Sequence, residues 1–195
     1  MRKLLVLASS ALMFLAGPAA AQVTAPGQQM SYSYVEGGLS RVNIDPGPGF
    51  RTFNDNGFNF RGSAQFGEFI YGIGSWDRWE IGNLDADLFK LGLGFRAAMA
   101  RNTDWFAEVS WTHLDIDQFS SRNGVRGDLG IRGVVNEWLE ARAFGGFNVD
   151  GPEGDSFVLG GDLLFTFTPM VGLSLGVETY EFDVNIWRAN LRLSF

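Results

Sequence analysis

The chain contains a single histidine, His113, and Asp115 follows it two residues later. A carboxylate can orient an imidazole as a base, and positions i and i+2 share one face of an extended strand. The same alternation gives His113 the parity of its apolar neighbours Val109 and Trp111, and no second acidic pair accompanies it. The pair therefore reads first as a rim histidine and only second as a hydrolytic base. Arg126-Gly127-Asp128 spells an integrin-type tripeptide, but both charges fall on the polar face of an alternating segment and read as charges that pair with neighbouring strands. Eight aspartates, Asp45, Asp55, Asp77, Asp85, Asp115, Asp117, Asp150 and Asp155, lie in stretches that read as connections. None has the spacing of an EF-hand. They read as a solvated acidic rim, with bridging of divalent cations as the alternative. Cysteine is absent, and neither a metal nor a cofactor is expected.

These residues need elements to hold them, and the elements alternate with period two. Phe58, Phe60, Ala64 and Phe66 oppose Asn59, Arg61, Ser63 and Gln65, and Phe89, Leu91, Leu93 and Phe95 oppose Lys90, Gly92, Gly94 and Arg96. Such alternation marks strands with one apolar and one polar side. It recurs in ten segments, at 30–44, 56–66, 69–76, 86–96, 104–114, 125–135, 138–147, 156–167, 171–180 and 185–195. The first and third are the least regular, and eight strands is the fallback. The fold class expected is all-β, a transmembrane antiparallel up-and-down β-barrel, because membrane barrels alternate in this way with even strand numbers. A soluble β-sandwich also alternates, but here the polar face is heavily and evenly charged. It carries Arg61, Lys90, Arg96, Arg126, Arg132, Arg142, Arg188 and Arg192 against Glu36, Glu108, Asp128, Glu140, Asp162 and Glu178. Phe66, Phe95, Phe167 and Phe195 end four of the downward strands, where an interfacial girdle belongs. Connections read as alternately short and long. The long ones, 45–55, 77–85, 115–124 and 148–155, are expected on the outside, with both termini on the periplasmic side.

Residues 1–21 read as a leader to be removed. Arg2 and Lys3 precede the apolar run Leu4–Leu15, and Ala19-Ala20-Ala21 offers a cleavage site before Gln22. The run is too short for the ~20 residues that a transmembrane helix needs, and the pattern is that of a secretory signal peptide. Residues 22–195 are then the barrel, exported through the periplasm to a bacterial outer membrane. The whole chain has 15 basic and 22 acidic residues, and loss of Arg2 and Lys3 moves the net charge from −7 to −9. Such a balance argues against nucleic acid, which rewards clustered Lys and Arg.

The end of the chain, Arg188-Ala-Asn-Leu-Arg-Leu-Ser-Phe195, resembles the C-terminal signal of outer-membrane barrels. Arg188, Leu193 and Phe195 match it, and Asn190 stands where glycine is common. The resemblance implies insertion by the barrel-assembly machinery. The pattern as a whole resembles the OmpA/OmpX-like small barrels. Ser31-Tyr-Ser-Tyr-Val-Glu-Gly-Gly38, with the ten-segment layout, looks nearest to a group of small ten-segment Gram-negative barrels. Omptin-like proteases also have ten strands and a His–Asp pair, but this chain is short for that tall barrel. Barrel lipid A deacylases place serine two residues after histidine, where this chain has Asp115.

The lumen charges carry the main functional question. They read either as a closed salt-bridge network or as the lining of a narrow wet channel, with a closed or very narrow lumen expected. The function expected is a non-enzymatic, envelope-structural or surface-interaction role. A narrow porin-like channel is the alternative, and a barrel hydrolase built on His113 is the weaker one. Expected partners are outer-membrane lipids, including lipopolysaccharide, with the barrel itself a monomer.

Overall fold

The computed structural model describes residues 30–195 apart from 46, 48–51, 82–83 and 152–153. The leader at 1–21 lies outside the described residues. Among the described residues every regular element is a strand: β1 (Tyr34–Ile44), β2 (Phe53–Gln65), β3 (Ile70–Ile81), β4 (Leu84–Ala100), β5 (Thr103–Ile116), β6 (Arg122–Asn136), β7 (Leu139–Gly151), β8 (Gly154–Thr166), β9 (Val171–Tyr180) and β10 (Val184–Ser194). Each pairs antiparallel with its sequence neighbours, and β1 pairs with β10 to close a ten-stranded barrel. Closure removes the free edges that an open sheet would present.

The strands run further outward than the alternation suggests. β3 and β4 pair to Ile81↔Leu84, and β7 and β8 to Gly151↔Gly154. The long outer connections expected at 77–85 and 148–155 are therefore mostly paired strand. The polar residues there blur the apolar alternation, but ladder hydrogen bonds depend on backbone and not on side-chain type. The outer connection Glu181–Asp183 is a tight turn closed by a bond from Asp183 N–H to the Tyr180 carbonyl at 3.0 Å, with positive φ at Glu181 and Phe182.

The two faces differ as a barrel wall in lipid requires. Leu39, Leu91, Leu93, Val109, Leu129 and Leu191 face outward and are exposed, Leu39 by 72%. Aromatic rings flank this apolar band. Toward the outer end Trp76 stacks on Phe89, and Trp111 on His113. Toward the end that holds the termini, Phe95 contacts Phe69 and Trp105, and Trp138 stacks on Phe165. An apolar band between aromatic girdles is the exterior expected of a lipid-embedded barrel.

Inward glycines make room for inward rings. Tyr71 lies opposite Gly94 and Phe144 opposite Gly160. A Cβ at either glycine would collide with the facing ring. Glycine at these two positions is what lets aromatic side chains lie flat across a narrow interior.

Candidate functional site in the barrel lumen

The interior is filled in tiers. Nearest the termini, Arg96 pairs with Asp104 at 3.0 Å and Arg132 with Glu140 at 2.6 Å. The Tyr32 ring is only 2% exposed and lies between the two guanidinium groups, 4.6 and 4.4 Å from its centroid. Arg132 Nη2 donates to the Ser31 carbonyl at 2.8 Å, and Ser63 Oγ donates to the Tyr32 carbonyl at 2.7 Å. The segment ahead of β1 thus turns into the barrel, and its tyrosine fills the mouth.

The next tier is a chain of six charges. Glu36 accepts from Arg61 and, at 2.7 Å, from Arg192. Arg61 also reaches Asp162 at 3.0 Å, Asp162 meets Arg142 at 3.3 Å, and Arg142 meets Glu108 at 2.9 Å. Tyr71 Oη donates to Glu108 at 2.9 Å. The tier above it is a second chain of six. Lys90 meets Asp128 at 3.4 Å, Asp128 meets Arg126 at 2.9 Å, and Arg126 meets Glu178 at 2.7 Å. Arg188 bridges Glu178 at 3.6 Å and Asp77 at 2.8 Å. Phe144 separates the two chains, with Arg142 4.7 Å and Arg126 5.5 Å from its ring centroid.

Each of these groups is neutral. The two six-membered chains hold three bases and three acids each, and the lowest tier holds two simple pairs. Eight bases therefore face eight acids. Burying a charge without a partner is costly, and the interior meets that constraint pair by pair. The two acids that alternation did not supply are Asp77 and Asp104. The sequence reading ends the third strand at Trp76, so Asp77 falls into a connection. β3 continues to Ile81, which puts Asp77 in register with Ile73 and Ser75 on the inner face. Asp104 shares its parity with Phe106 and is the second residue of β5, where a strand-end residue reads as solvated.

Above the ions the lumen turns apolar. Val42, Trp79, Val158, Tyr180 and Ile186 are buried together, with Ile44, Leu88 and Val184 packed against them. This cap was not legible as a unit, because each strand contributes only one or two of its residues.

Little space is left among the charges. One cavity bordered by Lys90, Arg126, Glu178 and Arg188 measures ≈ 50 Å³, and one bordered by Tyr32, Glu140 and Arg192 measures ≈ 20 Å³. These hold a few waters and a single water, respectively. Neither admits a hydrated solute.

The other candidate residues lie elsewhere. His113 faces outward, its Nδ1 2.9 Å from Asn123 Oδ1, with its ring stacked on Trp111. It belongs to the outer aromatic girdle. Arg126 and Asp128 are 1% and 4% exposed, which hides the integrin-type tripeptide inside the barrel. Leu193 and Phe195 are exposed on the outer face, while Arg188 points into the lumen. Among the described residues no group of three or more His, Cys, Asp or Glu could hold a metal ion.

With its lipid-compatible exterior and charge-paired interior, the chain has the architecture of a small outer-membrane barrel. No family model matches the sequence, and no curated protein matches it. Solved structures that resemble it include the attachment invasion locus protein Ail of Yersinia pestis, at 14% identity and a TM-score of 0.41, covering 85% of this chain and 98% of that one. The translocator domain of the autotransporter NalP from Neisseria meningitidis matches at 10% identity and a TM-score of 0.45, covering 87% and 91%. The outer membrane protein OprG from Pseudomonas aeruginosa matches at 11% and 0.39, covering 87% and 98%. At such identities and TM-scores none of them lends its activity to this chain.

Proposed function

We propose that the protein is an integral outer-membrane barrel with a sealed lumen and a non-enzymatic, envelope-structural role. One observation carries this reading: eight bases and eight acids consume one another inside the barrel, leaving ≈ 50 and ≈ 20 Å³ among them. An ion-conducting lumen needs charges or dipoles that face water and exchange partners with a solute. Here the charges are spent on each other, and apolar side chains close the outer end. The ladders that run to Ile81↔Leu84 and Gly151↔Gly154 leave less unpaired chain at that end for recruiting a protein partner than the long connections expected at 77–85 and 148–155. Export as a precursor and recognition of Leu193 and Phe195 by the assembly machinery belong to the same proposal.

Planar-bilayer conductance of the refolded mature protein tests it, after heat-modifiable gel mobility has established the barrel. The expected result is a mobility shift with no steady single-channel steps. Steady steps would replace the sealed barrel by a narrow channel.

A further inference from the structure

One outward-facing strand arginine among the described residues, Arg41, stands without an acidic partner. Arg41 has the outward parity of Leu39 and Val35, and it is exposed. Among the described residues it makes no ion pair. The comparable outward arginine, Arg78, is held by Asp85 and Asp87. Across the ladder Arg41 faces Asn56 on β2 and Trp187 on β10. One pair further out, Asn43 faces Asn54 and Asn185. Four outward carboxamides on three adjacent strands thus surround one free guanidinium, at the level where a tryptophan marks the membrane interface.

Below this polar group the wall is hollow. A trough of ≈ 940 Å³, predominantly apolar, opens between Leu39, Trp187, Leu163 and Leu175. Its floor is low because Ala189 and Gly161 place small residues between the larger side chains of Leu39, Trp187, Leu163 and Leu175. Arg41 and Asn56 border its outer end.

We propose that this trough and its polar rim bind a phosphorylated glycolipid of the outer leaflet. The acyl chains lie in the trough, a phosphate pairs with Arg41, and sugar hydroxyls meet the asparagines. Guanidinium recognises phosphate through charge-assisted, two-pronged hydrogen bonds. A carboxamide both donates and accepts, so four of them spread over three strands suit the many hydroxyls of a sugar better than the two of a glycerol headgroup. The site lies toward the end opposite the termini, which is the outer side. The inference rests on the outer-membrane reading above, but not on the lumen being sealed.

Native mass spectrometry of the refolded mature protein in detergent micelles, titrated with diphosphoryl lipid A, tests it. Wild type is expected to retain lipid A in preference to dephosphorylated lipid A and to phosphatidylglycerol. Arg41→Gln should bind it about tenfold more weakly, the size of effect that follows from loss of a hydrogen bond to a charged group. Ala189→Phe, which fills the trough, should weaken it as well, and Arg78→Gln should leave it unchanged. Equal retention of phosphatidylglycerol would reduce the site to ordinary boundary lipid and overturn the proposal. So would an Arg41→Gln variant that binds like wild type. Gel mobility and conductance on the same preparations separate these outcomes from failure of the barrel or of its seal.

Discussion

Two stretches of one lumen are closed by different physics. From the mouth that holds the termini to about the level of Asp77, the interior is a set of neutral ionic groups, each acid answered by a base within reach. Beyond that level Val42, Trp79, Val158 and Ile186 close the barrel by apolar packing. The ionic part specifies partners one by one, because a single missing charge strands another in a poorly solvated place. The apolar part is non-directional and asks only for volume. The first should therefore be brittle to single charge changes and tolerant of paired ones, and the second should answer only to the volume removed.

The sharpest test of that contrast is Glu36→Ala. It leaves Arg61 and Arg192 facing each other without the acid between them. Breaking a buried pair typically costs about 3–5 kcal/mol, and urea unfolding in micelles, followed by circular dichroism, should show a loss of that size. A loss under about 1 kcal/mol would mean that water enters the ionic tiers freely. Trp79→Ala should come next, at about 3 kcal/mol for removal of a buried ring. It should not produce single-channel conductance, because the ionic tiers beneath it remain shut. Conductance in this variant would make the apolar cap the true seal.

Smaller effects sharpen the comparison further. Glu140→Ala alone should destabilise the barrel, whereas Arg132→Met with Glu140→Leu should recover most of the loss, since paired apolar replacement of a buried ion pair is often neutral. A double variant as unstable as the single one would show that Arg132 matters chiefly for holding Tyr32 and the Ser31 carbonyl. The smallest effect lies outside the lumen. Glu181 and Phe182 both adopt positive φ in the turn closed by Tyr180 and Asp183. Asn-Gly is the pair that this geometry favours, so Glu181→Asn with Phe182→Gly should raise stability by about 1 kcal/mol in the same unfolding assay.

Much of the wall was legible because alternation is a local property. The period-two pattern around Phe58–Phe66 or Phe89–Arg96 states which residues share a face without reference to any other strand. The pattern fails where both faces carry polar residues, as from Asp77 to Asp87. There the strands continued, and the long outer loops expected at 77–85 and 148–155 were hairpin ladder. The inward position of Tyr32 was not legible either. It lies ahead of the first paired residue, Tyr34, and its burial depends on Arg96 and Arg132 from β4 and β6.

By itself, then, the sequence determined the all-β class, the alternation of the strands and the parity of fourteen of the sixteen lumen charges, because these follow from the geometry of an extended backbone. Only the tertiary structure decided which acid meets which base. Glu36 and Arg192 are 156 positions apart, and Asp77 and Arg188 are 111 apart. Their meeting depends on ring closure and register. The same closure decided how the space among the lumen charges is divided, because only the assembled ring reveals what ten strands' side chains leave unfilled.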